Sequence, residues 1–259
     1  MDEVYTNLSI VWPALVAGLL VVLSHVPLGR QVLRRGIVFI DLAIAQVAGL
    51  GVIAAQSAGL DLHGWKTQVA AVVAALLGAL LLTWTERKRP EVQEALIGVL
   101  FVLASTAQIL LLANDPHGGE ALKDLLAGQI LWVSTEQLVR AAVLTALFLV
   151  AWFRFRERLG TVGFYVVFSL MVTTSVQLVG VYLVFTTLIV PALATYRHRL
   201  ASQLPLGLVL AIVSYVIGLA VSLLTDLPSS PVIVWAMALL GIALHLTARR
   251  GIDESFRNH

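Results

Sequence analysis

Few residues in this chain of 259 are equipped for chemistry, and two of them sit in one apolar run. The stretch GIVFIDLAIAQVAGLGVIAAQSAGL carries Asp41 and Gln46, a carboxylate and a primary amide among aliphatic side chains. Counted from a helix start near Gly36 at ~1.5 Å per residue, Asp41 is expected ~7 Å into a bilayer and Gln46 ~15 Å in, near the midplane of a ~30 Å core. An acid within a span costs ~2.5–3.5 kcal/mol on insertion scales and normally faces protein or a water path. In that setting both residues offer an oxygen to a passing cation. A structural alternative stays open at Asp41, which lies near a helix start, where the dipole favours an acid, with Arg34 and Arg35 close enough to pair. Five residues at ~100° each separate the two side chains by ~140°, so they do not reach one ion from one helix face.

Two further regions carry polar groups in apolar surroundings. RPEVQEALIGVLF opens a span with Pro90, Glu91 and Glu94, where a proline and acids suit a helix N-terminus. SVQLVGVYLVFTTLIVPALATYRHRL places Gln177, Thr186 and Thr187 in an apolar run, and Pro191 is expected to weaken or kink the helix. The basic ALATYRHRLAS that ends this run is either a docking helix for a soluble partner or a positively charged membrane anchor.

Several chemistries are missing. No GxxxxGK[ST] occurs, and none of Lys66, Lys88 and Lys123 follows a glycine, so the chain carries no P-loop for ATP. HExxH and GxSxG are absent, the six histidines include no pair at i, i+4, and there is no cysteine. An intramembrane enzyme therefore has no constellation in its favour.

The elements that hold these residues follow from composition. With 59% hydrophobic and 12% charged residues, the chain has half the usual charge and cannot clothe a water-facing surface. Apolar runs fall at about 8–24, 37–57, 66–85, 94–113, 135–153, 161–178, 179–195, 204–224 and 231–247. None alternates like a barrel strand, which makes an all-α polytopic membrane protein of eight or nine transmembrane helices, forming a single domain over 1–259. The sixth and seventh runs share only Thr161–Thr195, so one of them is expected to be short, tilted or broken. Leu122, Leu125, Leu126 and Ile130 predict a short amphipathic or re-entrant helix within the stretch from 114 to 134.

Charge sets the orientation. With nine crossings and the N-terminus outside, 14 of the 17 lysines and arginines fall on the cytoplasmic side: Arg30, Arg34, Arg35, Arg87, Lys88, Arg89, Arg154, Arg156, Arg158, Arg197, Arg199, Arg249, Arg250 and Arg257. Asp2, Glu3, Asp61, Asp115, Glu120, Asp124, Glu136 and Asp226 then face outward, an anionic mouth that concentrates cations. The net charge of +2 forms no single basic block, so a nucleic-acid partner is not expected.

Four motifs in order resemble one family, the permease subunits of ATP-binding-cassette importers for zinc, manganese and iron. RRGIVFIDLAIAQVAGLGV resembles the family's Arg-rich entry into a span reading Phe-x-Gly-Asp-Ala-x-Ser-His-Ala. EALIGVLF, DLLAGQILWVS and GVYLVFTTLIVPALAT resemble its acid-x-x-Ile-Gly, Leu-Leu-x-Gly-x-Ile-Leu-x-Val-Ser and Gly-Val-Leu-Leu-Val…Leu-Ile-Ile-Pro-Ala elements. The resemblance covers about residues 34–195. It implies the type II, vitamin-B12-importer-like permease architecture in the inner membrane. It further implies a second copy of the permease, a cytoplasmic ATPase pair that binds ATP, and an extracytoplasmic metal-binding protein. The divalent metal is then the substrate, and this chain holds no cofactor. By the same analogy Pro191–Ser202, with Tyr196, Arg197, His198 and Arg199, docks into the ATPase, and Glu94 takes the family's acidic position. One departure stands out. Aligning Gln46 with the span histidine puts Asp41 at the family's glycine, and aligning the aspartates puts Ala45 at the histidine. The Asp–His pair at i, i+4 is not reproduced, and an amide oxygen is a harder, weaker ligand than imidazole. The alternative function is a self-sufficient secondary cation transporter or channel that uses Asp41.

Overall fold

The structure, a computed structural model, describes residues 2–60, 64–113, 115–128, 130–155 and 160–257, with the side chains of 2–10, 153, 155 and 247–257 left aside. Arg156, Arg158 and Asp61, and the side chains of Asp2, Glu3, Arg249, Arg250 and Arg257, therefore lie outside the described residues. Ten α-helices follow in order: α1 (Asp2–Arg35), α2 (Ile40–Ser57), α3 (Trp65–Lys88), α4 (Gln93–Leu112), α5 (Gly118–Ala127), α6 (Thr135–Phe155), α7 (Gly160–Val179), α8 (Val181–Thr195), α9 (Leu200–Thr225) and α10 (Ser229–Arg257). Single 3-10 turns occupy Pro90–Val92 and Ile130–Trp132. Among the described residues there is no strand, and eight helices are long and apolar enough to cross a membrane. The ninth apolar helix is α8, with only 15 residues. Of the two runs that share Thr161–Thr195, the short one is therefore α8.

Two boundaries differ from expectation. The first apolar run does not stop at residue 24 but continues as helix to Arg35, because Leu28 and Val32 stay fully buried. Arg30, Arg34 and Arg35 thus belong to α1 itself. The second span begins at Ile40 rather than Gly36. Gly36 takes a positive φ of 70°, which ends α1, and a turn through Phe39 intervenes before α2. Asp41 consequently lies in the first turn of α2, not ~7 Å along it.

Two groups of helices share a common wall. Helix α2 packs between α3 and α4, while α8 packs between α1 and α10 and against α9. Helix α7 touches members of both groups. Eleven of the fifteen residues of α8 are buried. Its threonine hydroxyls bond back into the helix, Thr186 to Tyr182 O at 2.8 Å, Thr187 to Leu183 O at 2.7 Å and Thr195 to Pro191 O at 2.7 Å. Pro191 does not break the helix, which runs on to Thr195. The close packing holds it: a Cβ added at Gly29 of α1 would overlap the Leu188 carbonyl.

The predicted amphipathic element in the 114–134 stretch is α5, and its end locks α8. Gly128 (φ 68°, ψ 174°) and Gly180 (φ 82°, ψ 162°) both occupy a region essentially reserved for glycine. Their backbones face each other so closely that a Cβ on either would fall on the other's chain. We predict that Gly180→Ala and Gly128→Ala each destabilise the protein by ~1–3 kcal/mol through strain and overpacking. Thermal unfolding of detergent-solubilised protein should show both midpoints lowered. Gly119→Ala, at a helical position with open space around it, should leave the midpoint unchanged or slightly raised.

Candidate functional site

Asp41 is fully buried, and neither carboxylate oxygen has a hydrogen-bond partner among the described residues. The pairing with Arg34 or Arg35 does not form. Arg35 reaches Glu86 instead, Nη1 to Oε1 at 3.8 Å, with its guanidinium 4.2 Å from the centroid of the Phe164 ring, while Arg34 is exposed. Both arginines leave α1 just before the Gly36 turn, which redirects the chain ahead of α2. Buried carboxylates persist where they are paired or meet a cation. Asp41 is thus the least satisfied oxygen pair of the α2 start.

Glu94 serves that start from outside. Its Oε1 accepts a hydrogen bond from the Phe39 backbone N–H at 3.2 Å, so the first turn of α4 holds the turn leading into α2. An acid at a helix N-terminus is favoured twice over here, by its own helix and by its neighbour. Phe39 in turn stacks on Phe185 of α8, with ring centroids 6.4 Å apart and planes within 3°.

Gln46, buried like Asp41, is already engaged. Gln108 Nε2 donates to Gln46 Oε1 at 2.7 Å and to the Gln46 main-chain carbonyl at 2.8 Å. The Gln108 carbonyl oxygen has no partner among the described residues. Both glutamines are buried, joining α2 to α4 across the bundle. Asp41 and Gln46 are therefore not brought together, and the ~140° between them points them into different helix–helix contacts. Among the described residues no group of three or more His, Cys, Asp or Glu side chains is placed to hold a metal ion. Gln108 was legible as the one amide inside the fourth apolar run, but a search weighted toward charges passes over it.

A second polar knot ties the arginine-rich helix ends. Gln93 Nε2 donates to Leu82 O at 3.0 Å and to the Tyr165 hydroxyl at 3.2 Å, while Thr85 Oγ1 donates to Gln93 Oε1 at 2.9 Å. This joins α3, α4 and α7 beside the Arg35–Glu86 pair.

The stretch from Pro191 to Ser202 is not a separate docking helix. Pro191 to Thr195 form the last turns of α8, with Pro191 buried, a turn follows at Tyr196–Arg199, and α9 begins at Leu200. A helix confined between α1 and α10 has no room to present Pro191 to a partner. Tyr196, Arg197 and Arg199 are exposed and His198 is half-buried. Gln203, which sequence reading overlooked, pins the turn by donating to Tyr196 O at 3.2 Å and His198 O at 3.1 Å. Arg30 fixes Gln203 in turn, donating to its Oε1 at 3.3 Å and to Leu200 O at 3.4 Å.

Comparison with known proteins follows this geometry. The manganese transport system membrane protein MntC of Halalkalibacterium halodurans is 24% identical over 261 residues, covering 92% of this chain and 88% of that one. The structure titled PsaBC from Streptococcus pneumoniae in complex with Fab matches with a TM-score of 0.74 at 21% identity, covering 91% of this chain and 90% of that chain. At that identity the likeness concerns the fold alone. The sequence profile of the ABC 3 transport family matches residues 7–164 and 157–247. Many apolar helices, the shared fold and a profile reaching almost from end to end agree: this chain is a multi-pass membrane protein and belongs to the ABC 3 transport family.

Proposed function

We propose that the chain is the membrane-spanning subunit of an importer for a divalent transition metal (zinc, manganese or iron) or its chelate. It acts as a pair of copies, 1–259 forming one permease domain in the inner membrane. A separate cytoplasmic ATPase pair drives it by alternating access, and an extracytoplasmic binding protein delivers the metal. The observation that carries this reading is the family profile over residues 7–247, joined by a relative named for manganese transport. The absent P-loop fits the rest, since ATP-driven transport through a chain without its own Walker motif needs a partner that binds ATP. The arginine-rich ends support a topology with the N-terminus outside and the C-terminus inside, by the positive-inside rule.

Within this reading each site residue has a task. Asp41 offers a carboxylate with two unused oxygens to the passing cation, and Gln46 lies at a different depth of the same path. Glu94 acts by holding the start of α2. Tyr196, Arg197, His198 and Arg199 present the pinned turn at the end of α8 to the ATPase, and Pro191 shapes the helix behind it.

Reconstituted with its ATPase and binding-protein partners, the chain should accumulate radioactive manganese or zinc only with ATP. Flux driven by a proton gradient in vesicles holding this chain alone would establish the secondary-transporter alternative instead. Asp41→Asn should insert and assemble normally yet lower the uptake rate by at least about tenfold, the scale on which losing a group that supports a metal site costs function. Unchanged uptake in the inserted variant would take Asp41 off the path. Replacing Arg197 and Arg199 together by alanine should reduce the ATPase recovered with the purified permease, while an intact complex would move the docking surface elsewhere.

A further inference from the structure

At the α5 end of the bundle a cavity of about 260 Å³ opens between α2, α3, α5, α6 and α7. Its polar lining is almost entirely amide. Gln56, Gln68, Gln137 and Gln177 are half-buried in its walls, Asp124 supplies the one carboxylate, and Trp132 the rim. Four glutamines from four different helices converge on a space of this size. Gln137 already accepts the Ser134 N–H at 2.8 Å. The side chains of Gln56, Gln68 and Gln177 make no hydrogen bond to the described residues, which leaves each with a free acceptor and two donors. The floor continues the same chemistry. Leu125 lines the cavity and lies over Gly49, where an added Cβ would meet both Leu125 and Gln108 Oε1, the latter at 3.3 Å. The Gln46–Gln108 pair thus sits directly beneath, with a buried carbonyl oxygen still unpartnered.

Neutral amides bind a bare zinc or iron ion poorly beside imidazole and thiolate, and even manganese, which accepts carbonyl oxygen, would find too few donors here to replace its whole shell of water. They bind a hydration shell well, since metal-bound water is a strong donor and each amide carbonyl a good acceptor. Size decides in the same direction. A water takes up ~30 Å³, so an octahedral ion with six waters needs roughly 180 Å³, which the cavity has room to admit. A stripped ion would fill a small fraction of it and touch one wall. We propose that this cavity receives a divalent cation that still carries its first shell of water, held through that shell by the amide carbonyls of Gln56, Gln68 and Gln177 and by the Asp124 carboxylate. The inference rests on the importer reading and specifies the form in which the cation enters. Such a site senses charge and shell size and leaves the identity of the metal to be read elsewhere.

The test uses the assembled permease, ATPase and binding protein in vesicles, with manganese(II) as cargo and hexaamminecobalt(III) as probe. The six ammines of that complex do not exchange, so it can be recognised only through its outer shell. It should inhibit ATP-dependent manganese uptake, and the Gln56→Leu, Gln177→Leu double variant should need about tenfold more of it, the cost of two lost hydrogen bonds. Asp124→Asn, an isosteric change at an exposed position, serves the same comparison if the double variant does not fold, and should likewise weaken the inhibition. Manganese uptake indifferent to the cobalt complex, or inhibited equally in wild type and variants, would overturn the inference and leave the importer intact. No ATP-dependent uptake from the intact assembly would overturn the importer reading and this inference together.

Discussion

At the ordinary helical rise the residues of α8 reach about 22 Å, short of a ~30 Å hydrocarbon core. A helix of that length cannot carry both of its ends to water through lipid, so protein must close them. At one end the Gly128 backbone presses against Gly180; at the other Gln203, steadied by Arg30, holds the turn that follows. Between these points the helix asks little of its neighbours, because its threonines return their hydroxyls to the preceding turn. Only Thr187 reaches out as well, to the Tyr215 hydroxyl of α9 at 3.1 Å. An apolar rod with both ends gripped is what α1, α9 and α10 can assemble around, and its two grips join the α5 end of the molecule to the arginine-rich end.

The arginine-rich end is fixed by hydrogen bonds more than by charge. The Arg35–Glu86 pair is a quarter exposed and 3.8 Å long, which limits it to roughly 0–1 kcal/mol. The Gln93 amide does more for geometry, since its donors meet both Leu82 and Tyr165 and its carbonyl takes the Thr85 hydroxyl. A buried, well-satisfied network of this kind fixes the register of three helices at once. It also lets Glu94, the next residue, reach Phe39: the start of α4 is anchored on one side by Gln93 and meets the turn into α2 on the other.

How much of this was legible in the sequence differs by kind of feature. Span number, the weak point at Thr161–Thr195 and the amphipathic α5 all follow from apolar length and periodicity, which lipid enforces strictly. The break at Gly180 was foreshadowed because two spans had to share 35 residues. Contacts between helices were not legible. Periodicity says that Gln46 is inside, but nothing local says that Gln108, 62 residues on, meets it at 2.7 Å. The same holds for Arg35, whose partner is Glu86 rather than the nearer Asp41, because the Gly36 turn redirects the chain between them. Even the depth of Asp41 depended on that one positive φ, which no hydropathy count registers. The ALATYRHRLAS stretch divides between elements in a way its composition does not show: residues 192–195 end α8, 196–199 form the turn and 200–202 open α9.

An amide at Gln46, where α2 carries no histidine, limits what the helix can offer a cation. An imidazole held by one hydrogen bond keeps its second nitrogen for a metal, whereas the carbonyl of Gln46 is already taken by Gln108. Using it as a ligand means breaking a buried amide–amide bond and leaving a donor unpaired, a cost of about 1–3 kcal/mol that a weak, hard oxygen does not repay. The pair therefore works better closed than open, as a brace between α2 and α4. Asp41 is the opposite case, a buried carboxyl with no hydrogen-bond partner to lose among the described residues. Of Asp41 and Gln46, one holds helices together and the other has no partner among the described residues, and the ~140° between them keeps them on separate faces.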